Sequence, residues 1–164
     1  MKFKAQIWSF DFAVSMVIFI TALILVLSLW SYANSQTNEQ LRQEKLQDLI
    51  LTVSDVLVRS EGSPENWTKD DVKIIGLASR EKVLDPDKIS EFMQIPYDTA
   101  RQLLGTGSFN FHFQLSHANE TVMKLGGNDI AIGLSPANTS IVAPVERYVL
   151  FNGEIVKARM VLWQ

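Results

Sequence analysis

Hydrophobic and polar positions divide this chain into three stretches with different periods. From Phe12 to Trp30 there is no charge, no glycine and no proline. At 1.5 Å rise per residue these 19 positions make a helix roughly 28 Å long, close to the ~30 Å hydrocarbon thickness of a bilayer. Between Ser35 and Ser60 the period changes but stays helical. Leu46, Leu49, Ile50, Val53, Val56 and Leu57 recur at spacings of three and four, while Glu39, Arg42, Gln43, Glu44, Lys45, Gln47, Asp48 and Asp55 fill most of the rest. If the two helical stretches join, about 50 residues make a rod about 75 Å long. Gly62 and Pro64 punctuate its end. A coiled coil with another chain is disfavoured, because the heptad is not sustained over three or four repeats. The expected cover for the apolar stripe is therefore the chain's own C-terminal region, with Leu49, Val53 and Val56 buried against it.

Beyond Gly62 the pattern reads as α+β. The turn-rich SEGSPENW delivers Trp67 to an apolar environment, and VKIIGLAS reads as a short strand. Asp85 and Pro86 fit an N-cap and first helical position, opening a helix that runs to Phe92 or Met93. A second short helix is predicted over Asp98 to Leu104, stopped by Gly105. The period then becomes two: Phe109, Phe111, Phe113 and Leu115 alternate with Asn110, His112, Gln114 and Ser116, as in a half-buried strand. Near the end, Asn152-Gly153 is the preferred dipeptide of a two-residue hairpin turn. That turn sets Phe151 opposite Glu154, Val149 opposite Val156, Arg147 opposite Ala158 and Val145 opposite Met160. On the other face it sets Tyr148 opposite Lys157 and Glu146 opposite Arg159. One face is mainly apolar and the other carries an ion pair, which suits a sheet that covers a helix and faces water. The expected organisation is a leader and transmembrane helix over 1–30, an amphipathic helix over 31–60 and a globular domain over 61–164.

Composition and charge narrow the partners. Of the 164 residues, 15 are basic and 18 acidic; setting aside Lys2, Lys4 and Asp11 leaves 13 and 17, a net −4 beyond the apolar run. An acidic exterior excludes the basic stripe that a nucleic-acid partner needs. Lys2 and Lys4 precede the apolar run and Ser31 to Asn38 follow it without a positive charge, so the N-terminus is expected in the cytoplasm and the rest outside. There is no cysteine, hence no disulfide, zinc-thiolate site or thiol nucleophile. Three N-x-[ST] triplets, at Asn66, Asn119 and Asn138, fall on the outer side; they are candidate glycan acceptors or ordinary polar loops.

The order of residues at the N-terminus is more specific. A secretory leader has a short apolar region followed by small residues at a cleavage site. Here the apolar run is longer, and the small residue precedes it, in Lys4-Ala5-Gln6-Ile7, with Ser9 and Asp11 next. This order resembles the class III signal of archaeal type IV pilin-like proteins. The resemblance implies that a prepilin peptidase cuts between Ala5 and Gln6 and leaves the helix attached. It also implies that Asp11 meets the new α-amine of a neighbouring subunit during assembly. In most pilins the acid is a glutamate at mature position five; a cut after Ala5 places Asp11 sixth, and a cut after Gln6 places it fifth. The family's architecture, a long N-terminal helix packed on a C-terminal antiparallel sheet, agrees with the pattern read above. A carboxylate that only favours the positive end of its own helix dipole is the simpler account of Asp11.

Catalytic chemistry is thin. Ser79-Arg-Glu-Lys82 matches S-x-x-K without the companion motifs of serine acylases. His112 and His117 could be metal ligands only if carboxylates joined them, and on the polar face of a strand and in the loop after it they are expected to be solvated; no Lys-[Ser/Thr] follows the glycines at 105, 107, 126 and 127. Asp85 and Asp87 fit a helix cap better than an acid/base pair. The expectation is a non-enzymatic cell-surface protein without a cofactor: a structural or minor subunit of an extracellular filament, partnered by membrane lipid, the peptidase and pilus-assembly components. The alternative is a monomeric single-pass protein whose outer domain binds a ligand or partner.

Overall fold

The computed structural model describes residues 4–136 and 142–164, with side chains from residue 10 onward except those of residues 35–40. The protein is α+β. Helix α1 (Lys4–Arg59) is followed by strands β1 (Ala78–Arg80) and β2 (Val83–Leu84) and helices α2 (Pro86–Gln94) and α3 (Tyr97–Leu103). Strands β3 (Asn110–Ser116), β4 (Lys124–Leu125), β5 (Asn128–Asp129), β6 (Ala131–Gly133), β7 (Val142–Phe151) and β8 (Glu154–Trp163) complete the described elements. Two compact units divide the chain, Met1–Arg42 and Gln43–Gln164. The division falls inside the stretch read as amphipathic, so Gln43 to Arg59 belongs with the globular unit.

In the first unit, α1 is a helix without a proline or glycine to interrupt it, and Phe10–Asn34 is long and apolar enough to cross a membrane. Two hydroxyls within the span are satisfied inside the helix: Thr21 donates to the Val17 carbonyl and Ser28 to that of Ile24, each at 2.8 Å. Such back-bonding removes the cost of an unpaired polar group in hydrocarbon.

In the second unit, a six-stranded sheet runs in the order β1-β2-β7-β8-β3-β6, and β4 and β5 form a separate ribbon. The β7–β8 hairpin has the register read from its turn, with Phe151 opposite Glu154 and Val145 opposite Met160. Asn152 and Gly153 both take positive φ, 50° and 82°, as a primed turn requires. The sheet is antiparallel except at β2, which pairs with β7 in parallel at Val83 and Leu150. This departure from an all-antiparallel sheet arises because the chain enters β2 from the β1 turn, where the Leu150 N–H donates to the Lys82 carbonyl at 2.8 Å. By strand alternation Tyr148, Glu146 and Pro144 face the same side as that Leu150 N–H. Among the described residues no strand pairs with β7 there beyond Leu150.

One buried cluster joins Leu46, Ile50, Val53 and Leu57 of α1 to Ile89 and Phe92 of α2, to Phe111, Phe113 and Leu115 of β3, and to Val149, Val156, Met160 and Leu162 of the hairpin. Aromatic rings tie its centre together: Phe92 lies 6.0 Å from Phe113 and 6.4 Å from Phe111, and Tyr97 stacks 5.2 Å from Phe111. Of the three stripe residues expected under the sheet, Val53 is buried, Leu49 is half-buried and Val56 is exposed. Burial shifts instead to Ser54 and Val58, because the β1–β2 turn closes over that side of the helix: the Lys82 N–H donates to the Val58 carbonyl at 2.9 Å.

Two further expectations change. VKIIGLAS is a strand only from Ala78. Upstream it is irregular, because a side chain at Gly76 would meet the Gly62 nitrogen at 2.3 Å and the Ser60 carbonyl at 2.4 Å; the backbones cross too closely for a regular ladder. The sheet face expected in water is also covered in part, with Lys157, Val161 and Trp163 all buried. The helix signals hold: the Asp85 side chain accepts from the Asp87 N–H at 2.9 Å ahead of Pro86, and α3 ends before Gly105 at φ 67°.

Candidate functional site

The feature with the largest functional content is the surface of Phe10–Asn34. Its mean hydropathy is 2.8, and none of its most apolar window is buried. Phe12, Val17, Ile18, Phe19, Leu25, Val26 and Leu29 are each exposed by about six-tenths or more. Contiguous apolar surface of this size, left in water, is what marks a membrane or protein contact.

Asp11 lies at the start of this span, and its side chain is exposed. It stands seven residues inside α1, and the first turn of the helix carries no acid. The helix dipole acts within the first turn, so it gives Asp11 little stabilisation, and a carboxylate at the edge of a membrane span would need another partner or the headgroup layer. Lys4, Ala5 and Gln6 form the first turn of α1, and their side chains lie outside those described. First-turn amides lack intrahelical acceptors, so this turn is held less firmly than the helix interior.

The sequence-predicted sites stay apart. Asn66 and Asn119 are exposed in separate loops of the second unit, and Asn138 lies outside the described residues. The groups singled out in the sequence meet other neighbours, except that His112 Nδ1 is buried without a partner among the described residues. Ser79 Oγ donates to the Val83 carbonyl at 3.3 Å rather than meeting Lys82. His112 Nε2 lies 3.4 Å from Gln114 Oε1, and His117 Nδ1 lies 3.6 Å from Glu154 Oε2. Among the described residues no three His, Cys, Asp or Glu side chains gather as a metal site.

A cleft of about 420 Å³ beside β7 is lined by Asp55, Arg59, Lys82, Glu146, Arg147 and Tyr148. Its charges are largely consumed by one another. Arg147 Nη2 sits 3.1 Å from Asp55 Oδ1, which tethers the inward face of β7 to α1, and Glu146 lies 3.6 Å from Lys157 and 3.9 Å from Arg159. Lys157 also bonds to Glu120, and this hydrogen bond, ahead of the attraction of Glu120 and Glu146, lifts its ammonium above the ordinary 10.5. The Glu146–Arg159 pair is the one read from the hairpin register, whereas sequence reading missed the Lys157–Glu120 bond because Glu120 reaches the sheet from a turn 37 residues away. Among the described residues the arrangement is a scaffold of ion pairs.

Comparison of the chain with family models, with curated proteins and with solved structures finds no match.

Proposed function

We propose that this chain is a membrane-anchored, type IV pilin-like surface protein: a non-enzymatic subunit, structural or minor, of an extracellular filament. The observation that carries the reading is the bare apolar helix Phe10–Asn34, preceded by Lys4-Ala5-Gln6 and joined in sequence to a separate compact α+β unit. The helix dissolves in the bilayer, and the second unit stands on the outer side. A prepilin peptidase removes Met1 to Ala5, and Asp11 pairs with the freed α-amine of the next subunit. That pairing offsets the cost of a carboxylate in lipid and sets axial register.

The intact mass of the native protein tests the first step. Mature chain should lack Met1 to Ala5 in cells with the peptidase and retain them without it, and Ala5→Leu should block the cut. Asp11→Asn should be inserted and cleaved normally, yet the share of mature protein in sheared filaments should fall relative to the membrane fraction. An uncut chain and an absence of filaments in a complete assembly system would replace this reading with that of a monomeric single-pass protein.

A further inference from the structure

The described N-x-[ST] triplets offer a transferase two different surfaces. An acceptor triplet presents the carboxamide nitrogen, which takes the sugar, and the hydroxyl two residues on. In Asn66-Trp67-Thr68 the middle residue is locked in the core: Trp67 is 3% exposed, and its indole N–H donates to the Gly76 carbonyl at 2.9 Å. The Thr68 hydroxyl is also committed. It donates to Asp71 Oδ1 at 2.9 Å, and the Thr68 backbone N–H donates to the same oxygen at 2.6 Å. These two bonds, the backbone one foremost, hold the Asp71 carboxyl below its ordinary 3.8.

Asn119-Glu120-Thr121 is the reverse case. The triplet forms the exposed tip between β3 and β4, closed by the Glu120 N–H on the His117 carbonyl at 3.0 Å and the His117 N–H on the Thr121 carbonyl at 2.9 Å. Asn119 Oδ1 accepts from the Thr121 N–H at 3.1 Å, which brings the carboxamide alongside residue 121. Among the described residues neither Asn119 Nδ2 nor the Thr121 hydroxyl has a partner, and both residues are exposed. Glu120, at φ 67°, turns its side chain away to Lys157, so the middle residue leaves the approach clear while pinning the tip to the sheet.

We propose that Asn119 is a glycan-acceptor asparagine of the folded protein and that Asn66 is not. This rests on the reading that the second unit lies outside the membrane. In the transfer, Asn119 Nδ2 attacks the anomeric carbon of a polyprenyl-phosphate-linked sugar. The C–N bond forms as the C–O bond to phosphate breaks, the phosphate departs with the electron pair, and a proton from Nδ2 passes to a base of the transferase.

The test uses the folded full chain in lipid vesicles, a purified oligosaccharyltransferase that accepts N-x-[ST], and its polyprenyl-linked donor, read by peptide mass. Occupancy of Asn66 should be lower than that of Asn119 by about tenfold or more, the factor that one charge-assisted hydrogen bond represents. Asn119→Gln and Thr121→Val should each abolish the modification, and unfolding the chain should raise Asn66 toward the occupancy of Asn119. Equal occupancy in the folded chain, an unmodified Asn119, or an Asn66 that stays blank after unfolding would each overturn the proposal. Protein from the producing cells, with protease applied to intact cells, separates the two readings. A protease-accessible domain with bare Asn119 overturns the acceptor alone, whereas a protected domain overturns its outer placement as well.

Discussion

Leu57 and Val56 are neighbours in sequence with opposite surroundings: Leu57 is fully buried and Val56 is 37% exposed. Leu57→Ala removes core methyls and leaves a cavity, so it should cost about 2–5 kcal/mol, while Val56→Ala should cost less than about 1 kcal/mol. Urea unfolding of a Gln43–Gln164 fragment checks both, and equal losses would mean that the α1 stripe is seated differently. The stripe itself was legible, because spacings of three and four place Leu46, Ile50, Val53 and Leu57 together whatever covers them. Its edges were not. Whether Val56 or Val58 is covered depends on a turn at Lys82, more than twenty residues on, and periodicity within the helix carries no word of it.

At the scale of elements, the hairpin was the most legible part, since Asn152-Gly153 dictates both turn type and register. The prediction here concerns backbone alone. A side chain at Gly153 would meet nothing within 4 Å, but φ there is 82°. Gly153→Ala should therefore cost about 1–2 kcal/mol through left-handed strain, with the core untouched. Thermal melting reads the loss, and a chemical-shift map should confine the perturbation to the turn. The parallel β2–β7 pair was not legible, because the two residues of β2 carry no period and are placed by the loop that brings them. The loss of strand character before Ala78 was equally hidden: Gly76 looks like any turn glycine until its crossing with Ser60 and Gly62 is seen.

For the whole molecule, the two compact units predict different solubilities. Gln43–Gln164 holds the buried cluster and should fold as a cooperative, detergent-free monomer, whereas the full chain, with Phe10–Asn34 bare, should need detergent or lipid. Circular dichroism and light scattering of the two forms check this. The proposed processing signal rests on an order of residue types alone, basic, small, apolar and acid, because such a signal would be read by another protein and would leave little trace in the chain's own packing. The contrast between Asn66 and Asn119 was invisible in sequence, since it depends on Asp71 and on the burial of Trp67.

Among the described residues no strand pairs with the side of β7 that runs from Tyr148 back to Pro144. A bare strand edge is a template on which other chains add, the first step towards amyloid-like stacking. Here the exposed stretch carries Pro144, which has no N–H to donate, and Glu146, whose ion-paired carboxylate an added strand would have to desolvate. Copies of the domain crowded together therefore resist knitting into a shared sheet along this edge.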